Sequence, residues 1–148
     1  IADGGNDPDW IALDLMSQAE HDESAQALLI TTSAAFGLKV AEAVSKRLET
    51  LERRAIAGPS WRDFGAIITV PDLATAATLA NRIAAEHLEL CVPDPEALAA
   101  QIPHAGAIFL GAFTPELPWS RAVKDLRPIS QFHQRFPQYA VQAKGRDD

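Results

Sequence analysis

The chain has 148 residues, of which 47% are hydrophobic and 22% charged, with a formal net charge of −7 and a single cysteine. This length predicts one α/β domain whose core needs no disulfide or metal, and the lone Cys91 excludes a disulfide framework and favours a reducing compartment, the cytoplasm. We expect no membrane span, because no apolar run approaches the roughly 18 residues required. The acidic start does not resemble a signal peptide. We also expect no nucleic-acid surface, because Lys and Arg are not clustered.

Apolar periodicity predicts helices that alternate with short strands along most of the chain. The helices are expected to begin at Asp7, Ser33, residues 71–72 and residues 93–95, where capping side chains or Pro stand. Residues 58–60, Gly-Pro-Ser, are expected to form a connection. The first predicted helix runs to about Asp22 and the second to about Leu51. The third carries apolar residues from Leu73 to Ile83, and a short fourth helix contains Leu98. The predicted strands cover residues 27–32, 65–70, 88–92 and 105–111. Because strands separated by helices imply right-handed crossovers, we expect a three-layer α/β sandwich with a mostly parallel sheet.

The composition changes after Glu116, which sets the boundary between two predicted regions. Residues 1–116 contain 7 Lys and Arg against 17 Asp and Glu, whereas residues 117–148 contain 6 against 3. Pro and Gln recur in the second region. The sequence allows helical turns around residues 119–126 and 132–136, but neither builds a convincing apolar face. We expect this second region to be a loosely ordered, solvated tail.

Gln18 and His21 form the first constellation that could carry chemistry. They are three residues apart in the first predicted helix and share a face with Ile11 and Leu15, so we expect both side chains to point toward the packed side. A buried amide and a buried imidazole need polar partners. A metal is one such partner, because imidazole suits Zn²⁺ and an amide oxygen is an uncommon ligand. The alternative is a hydrogen-bonded buried His, because structural zinc takes four ligands and only two are visible.

Glu86 and His87 form the second constellation, at the predicted break between the third helix and a strand. Adjacent residues at such a break can both reach one cleft, whereas within a continuous helix they would diverge by about 100°. A carboxylate and an imidazole at one site can divide the roles of general base and proton shuttle near neutral pH. The alternative is a helix C-terminus with a favourably placed His and a solvated Glu.

The remaining candidates carry weaker signals. His104 precedes a predicted strand, His133 lies in the tail, and Cys91 is expected to be a small core residue rather than a nucleophile. The sequence has no Gly-x-Gly-x-x-Gly or Walker pattern, so it assigns no cofactor-binding residue.

Four short segments are informative when they are taken together and in order. They are Asp7-Pro8-Asp9-Trp10, Ser17-Gln18-Ala19-Glu20-His21-Asp22, Glu86-His87-Leu88-Glu89-Leu90, and Ala105-Gly106-Ala107-Ile108-Phe109-Leu110-Gly111 followed by Thr114-Pro115-Glu116. Their order and separations resemble the histidinol dehydrogenase family over about residues 1–116. The resemblance implies an incomplete Rossmann-like α/β domain. It also implies a zinc-dependent enzyme of histidine biosynthesis that oxidises L-histidinol through an aldehyde to L-histidine and reduces two NAD.

By motif position, the resemblance implies roles for four residues. Gln18 and His21 match two zinc ligands. Glu86 and His87 match the catalytic pair, in which the Glu activates water for the second oxidation and the His accepts a proton. The implied cofactors are Zn²⁺ and NAD, and the implied partner is the small-molecule substrate L-histidinol, with no nucleic acid and no membrane, in a family that is homodimeric. Zinc would orient the substrate's amine and imidazole, and hydride transfer belongs to the nicotinamide.

The sequence departs from the family pattern at several points. Ala85 stands where the family commonly has Pro, which changes local stiffness but removes no functional group. Three family features have no counterpart here: a Gly-Asp-Tyr segment with a further zinc ligand, an Asn-His-Val-Leu-Pro-Thr stretch, and the last zinc-ligand His. Residues 117–148 do not match the family. Together with the start at Ile1 rather than Met, this leads us to expect a piece of a longer polypeptide or the product of a frameshift.

Three hypotheses about function therefore stand. In the first, the chain is part of a working histidinol dehydrogenase, as a fragment or as one piece of a split enzyme. In the second, it is a non-catalytic truncated remnant, because two ligands cannot close a tetrahedral zinc site. In the third, it belongs to a related dehydrogenase of another amino or hydroxy alcohol, because these signatures do not choose the alcohol. We expect the isolated chain to be inactive and to hold zinc weakly.

Overall fold

A computed structural model of the chain describes residues 1–111 and the backbone of residues 140–142. The helices are α1 (Pro8–Ala19), α2 (Ala34–Thr50), α3 (Arg54–Phe64), α4 (Leu73–Ile83) and α5 (Pro95–Ala99). The strands are β1 (Leu28–Thr31), β2 (Ala66–Thr69), β3 (His87–Leu90), β4 (Ala107–Leu110) and β5 (Ala140–Gln142). Helices and strands alternate up to β4, except that α2 and α3 follow one another.

Side-chain caps start four helices at positions that the sequence predicted. The side-chain oxygens of Asp7, Ser33, Asp72 and Asp94 each accept a hydrogen bond from a backbone N–H of the first helical turn, at 2.7 to 3.2 Å. These bonds satisfy donors that the start of a helix otherwise leaves unpaired, and they fix where each helix begins.

The structure corrects the prediction that residues 58–60 form a connection, because helix α3 runs through them. Pro59 lacks the N–H for one helical hydrogen bond. The helix nevertheless buries Trp61, which is 5% exposed, and the Ser60 hydroxyl donates to the carbonyl of Ala25 at 2.8 Å. Tertiary packing therefore outweighs local propensity in this helix.

The strands form two hydrogen-bonded groups, in the orders β1-β2-β5 and β3-β4. β1 is parallel to β2 and β3 is parallel to β4, whereas β5 is antiparallel to β2. The extended residues 1–3 join the two groups. The Ala2 N–H donates to the carbonyl of Ile30 in β1 at 3.1 Å, and Ala2 forms a parallel bridge with Cys91, just after β3. These pairings confirm the prediction of a mostly parallel sheet.

Hydrophobic side chains cover both faces of this sheet, which confirms the three-layer α/β prediction. One cluster joins α1, α2 and α3 to one face and includes Leu15, Val40, Trp61 and Ile67. The other joins α4 and α5 to the opposite face and includes Ile68. Ile67 and Ile68 belong to different clusters because successive side chains of a strand point to opposite faces.

The strand β5 was not predicted, since it lies in the region interpreted as a solvated tail. It pairs with β2 through backbone groups, and such pairing needs no apolar pattern that the sequence would show. The helical turns considered over residues 119–126 and 132–136 lie outside the described residues, as does the boundary after Glu116. None of the helices in the described part of the chain combines the length and apolar character that crossing a membrane requires.

Candidate active site

The candidate site residues gather at one edge of the sheet, where helices lead back into strands. Gln18 lies in the last turn of α1, which precedes β1, and Glu86 and His87 lie where the chain passes from α4 into β3. His21 and His104 lie in two loops of the same kind and are exposed. All five residues are therefore near the amino ends of strands, opposite to the carboxyl edge where ligands usually bind in parallel α/β sheets.

A cleft of about 200 Å³ at this edge brings Gln18, Glu86 and His87 together. All three residues are half-buried. Further walls of the cleft come from α1, from β1 and the residues before it, from the end of α4 and from β3. A carboxylate, an imidazole and an amide around one cavity can orient a polar substrate and exchange protons with it.

The junction between α4 and β3 allows two adjacent residues to reach this cleft. Helix α4 ends at Ile83, where the next residue, Ala84, takes a left-handed conformation with φ of 52° and donates its N–H to the carbonyl of Ala80 at 2.8 Å. A non-glycine residue seldom adopts this conformation. It ends the helix abruptly, so Glu86 lies in a bend and His87 begins β3, and both residues line the cleft.

The chain just before β4 holds this junction from the other side. The Ala107 N–H donates to the carbonyl of Glu86 at 2.8 Å. A Cβ on Gly106 would lie 2.7 Å from that same carbonyl oxygen, so only glycine fits there without a shift. The His87 ring meets Phe109 edge-on, with ring centroids 5.9 Å apart and the planes at 90°. These contacts fix the backbone of Glu86 and the ring of His87.

The structure corrects the prediction that Gln18 and His21 share a packed face. Helix α1 ends at Ala19 rather than near Asp22, so Gln18 lines the cleft while the His21 side chain is exposed in a separate surface depression. The reason is a local turn, in which the Asp22 carboxylate accepts hydrogen bonds from the N–H and the hydroxyl of Ser24 at 2.8 and 2.6 Å. Such side-chain bonds compete with continuation of a helix.

Zinc fits the described residues only in part. The side-chain oxygen of Gln18 is buried and has no hydrogen-bond partner among the described residues, so it is an acceptor suited to a metal or to a substrate donor. His21 lies outside the cleft, however, and residues 1–111 contain no group of three or more His, Cys, Asp or Glu that could hold a metal ion. Because tetrahedral zinc takes four ligands, the described residues do not form a zinc site.

Cys91 is a core residue, as the sequence predicted. It is 4% exposed, and burial raises the pKa of its thiol to about 11. A thiol with that pKa supplies almost no thiolate at neutral pH, so it does not serve as a nucleophile there.

The sequence analysis missed three residues that contribute to the site. Asp14 and Gln26 line the cleft, and Gly106 lies against the backbone of Glu86. Asp14 stands four residues before Gln18, so helical spacing could have placed it on the same face. Gln26 and Gly106 lie in loops, where spacing carries no such signal.

Fold and site together define a three-layer α/β protein in which an adjacent Glu and His line a cleft at the amino ends of its strands. A family model described as "Histidinol dehydrogenase" matches residues 1–118. Histidinol dehydrogenase from Ruegeria pomeroyi is 79% identical over 116 residues, and that from Cereibacter sphaeroides is 70% identical over 116 residues, each alignment covering 78% of this chain and 27% of the relative. The one from Gluconobacter oxydans is 59% identical over 144 residues, covering 89% of this chain and 34% of the relative; that alignment includes residues beyond 118.

A solved structure shows the same relationship. The crystal structure of histidinol dehydrogenase from Elizabethkingia anophelis superposes with a TM-score of 0.73 at 32% identity, covering 76% of this chain and 26% of that chain. The chain belongs to the histidinol dehydrogenase family. It spans about a quarter of the length of most of the curated relatives that it matches, 27% in the first two.

Proposed function

We propose that this chain is a segment of an enzyme that oxidises L-histidinol to L-histidine with NAD, and that Glu86 and His87 supply its acid–base groups. The observation that carries this proposal is the cleft that joins these two residues with Gln18, in a chain of the histidinol dehydrogenase family. The family supports the reaction, and the cleft supports the choice of residues. The same resemblance is our ground for proposing a homodimeric, cytoplasmic enzyme.

The proposed chemistry needs two proton transfers that Glu86 and His87 are suited to make. Oxidation of an alcohol removes a hydroxyl proton as well as a hydride, and an imidazole can accept that proton near neutral pH. Oxidation of the resulting aldehyde requires added water, from which a carboxylate can take a proton. The hydride acceptor is NAD, which supplies the redox chemistry when it is bound. The bracing of the Glu86 backbone keeps both groups at one cleft.

The part of Zn²⁺ in this proposal is limited. Gln18 presents a buried amide oxygen. This oxygen could coordinate the metal or accept a hydrogen bond from the substrate. His21 is the second ligand that the resemblance implies, and its exposed position does not complete a site with Gln18. We therefore assign no step of the reaction to zinc.

The experiment that tests this proposal places the segment in a complete enzyme. Residues 1–116 of this chain would replace the matching segment of the Ruegeria pomeroyi enzyme, with which they share 79% identity. We expect the chimera to reduce NAD with L-histidinol. Loss of a general base costs about 100-fold or more in rate, so Glu86→Gln and His87→Asn should each lower kcat by at least that factor.

Matched controls come from exposed residues of the same types. Glu96→Gln in α5 and His104→Asn are expected to leave the rate of the chimera unchanged, because both side chains are exposed and outside the cleft. A chimera that folds but oxidises another alcohol in preference to histidinol would point to a related dehydrogenase, and a folded, inactive chimera would point to a non-catalytic remnant. The isolated 148 residues are expected to show no turnover.

A further inference from the structure

Phe109 and His87 lie on the same face of the sheet. His87 in β3 pairs with Ala107 in the parallel strand β4, so Phe109 stands two residues farther along β4. Successive side chains of a strand point to opposite faces. His87, Ala107 and Phe109 therefore share one face, whereas Leu88 and Ile108 pack with the hydrophobic cluster on the other.

The small side chain of Ala107 leaves room for the two rings to meet. Ala107 is directly opposite His87, and a methyl group is too small to separate the ring of His87 from the ring of Phe109. The ring centroids are 5.9 Å apart with the planes at 90°, which is an edge-to-face geometry that aromatic pairs prefer. The contact therefore favours one rotamer of the imidazole over the others.

Phe109 belongs to a strand that is fixed on both sides of it. The Ala107 N–H donates to the Glu86 carbonyl at 2.8 Å, and the Gly111 N–H donates to the Leu90 carbonyl at 3.1 Å. The Phe109 side chain is buried. A buried ring on a paired strand is a firm support for a neighbouring side chain, because neither its backbone nor its rotamer is free to change.

Phe109 contacts His87 from behind the cleft. Glu86 and His87 line the cleft, and Phe109 does not. Glu86 is held by a different contact, which its backbone makes with Gly106 and Ala107. The two residues of the site therefore have separate supports, one for the backbone of the carboxylate residue and one for the imidazole ring.

We propose that Phe109 is a positioning residue for His87, which acts on the oxidation of the alcohol and not on the oxidation of the aldehyde. This inference rests on the function proposed above for the cleft. In the first oxidation a C–H bond of the alcohol breaks and the hydride passes to NAD, while the hydroxyl proton passes to His87 and the C=O bond forms.

The two oxidations differ in the group that Phe109 can influence. Transfer of the hydroxyl proton requires an imidazole nitrogen within hydrogen-bonding distance of the hydroxyl, so a misplaced ring slows the first oxidation. The second oxidation uses the carboxylate of Glu86 to take a proton from water. Because Phe109 supports the ring of His87 and not Glu86, its loss should leave the second oxidation unchanged.

The orientation of the His87 ring can be measured in the 148-residue chain itself. Three-bond couplings in NMR report the χ1 rotamer of a side chain. We expect one rotamer of His87 in the unmodified chain and in Phe109→Tyr, which keeps the ring, and an average of several rotamers in Phe109→Leu. Phe109→Met, which lacks the ring but fills more of its volume, should behave like Phe109→Leu and replaces it if the leucine variant does not fold.

Phe36→Leu is the matched control. Phe36 is a buried core residue of α2 and lies outside the cleft, so its loss should leave the His87 rotamer unchanged. A single His87 rotamer that persists in Phe109→Leu or Phe109→Met would overturn the proposal, whether or not the chimera is active.

Single-turnover kinetics of the chimera separate the two oxidations. Stopped-flow absorbance follows the formation of NADH, first with L-histidinol and then with the corresponding aldehyde as substrate. We expect Phe109→Leu to lower the rate constant of alcohol oxidation about 10-fold and to leave that of aldehyde oxidation unchanged. The KM for L-histidinol should stay the same because Phe109 does not line the cleft, and Phe109→Tyr should keep the original rates.

The remaining outcomes separate this proposal from the function on which it rests. An equal loss in both oxidations, or a loss in neither, would contradict a role of Phe109 through His87. An inactive chimera would contradict the proposed function, and the rotamer measurement would still decide whether Phe109 holds the ring.

Discussion

The two junctions that lead from a helix into a strand at the site edge end their helices differently. Between α4 and β3, the left-handed Ala84 ends the helix and the Ala107 N–H holds the Glu86 carbonyl at 2.8 Å. Between α1 and β1, a surface turn ends the helix, and the Asp22 carboxylate in this turn accepts hydrogen bonds from the nearby Ser24. The first junction keeps Glu86 and His87 at the cleft, whereas the second leaves the His21 side chain exposed to solvent. Contacts across the break, rather than spacing along the chain, decide which side chains reach a site.

Gly106→Ala is expected to change stability the most, because it disrupts the junction between α4 and β3. The new Cβ would lie 2.7 Å from the Glu86 carbonyl oxygen, a backbone atom that cannot rotate aside. We expect the free energy of unfolding to fall by about 1–3 kcal/mol, as in other overpacked sites. Urea denaturation measures the loss, and the His87 ring signals in NMR should shift with it.

Gly58→Ala is the matched control for that substitution. A Cβ on Gly58, inside α3, would meet nothing within 4 Å. Replacing glycine by alanine in a helix is expected to raise the free energy of unfolding by about 0.5–1 kcal/mol. If the two variants were equally stable, the bracing of Glu86 by the chain at Gly106 would be wrong.

Gln18→Met tests the end of α1, the helix that leads into the other junction. Met has a similar shape, and it replaces a buried amide oxygen that has no partner among the described residues. Removing an unsatisfied buried acceptor is expected to raise the free energy of unfolding by about 1 kcal/mol. A loss of stability in urea denaturation would instead show that the amide of Gln18 has a partner in solution.

Cys91 directly follows β3, the strand that begins at the α4–β3 junction. Its buried thiol should make the stability of the chain depend on pH. Burial raises the pKa of the thiol to about 11 from its ordinary 9.0. Below pH 9 the thiol is protonated in both states, whereas between the two values the unfolded chain loses the proton first, so stability should fall as pH rises toward 11. Urea denaturation at several pH values measures this loss of stability. In Cys91→Ala, stability should fall less between pH 9 and pH 11, because the thiol no longer contributes.

His21→Ala is expected to have the smallest effect. Because the His21 side chain is exposed, the free energy of unfolding should change by less than about 0.5 kcal/mol. The purified chain should also fail to retain stoichiometric zinc after dialysis, with or without this substitution, when metal content is measured by atomic emission. Retention of one zinc per chain that His21→Ala removes would show that His21 turns inward to join Gln18.

Much of the fold could be predicted from the sequence because its signals are local. The caps at Asp7, Ser33 and Asp72 stand at the starts of helices, and the apolar strands follow as expected. Helix α3 could not be predicted, because Pro59 in the middle of it is tolerated only through packing. The strand β5 could not be predicted either, because its pairing with β2 uses backbone groups.

The candidate site was predictable only where the chain breaks at a motif. Glu86 and His87 were expected at one cleft, and the structure places both there with Gln18. The packed position of His21 was wrong, because the prediction extended α1 past Ala19. The contact between Gly106 and Glu86 joins residues that are distant in sequence, and no periodicity indicates it.

The measurement that tests the central claim most directly is the rate of histidinol-dependent NAD reduction by the chimera described above. The claim is that Glu86 is a working acid–base group held at the cleft. It predicts that Glu86→Gln lowers kcat by about 100-fold or more, while Glu96→Gln leaves it unchanged, with both proteins equally folded by circular dichroism. Equal rates in the two variants would contradict it.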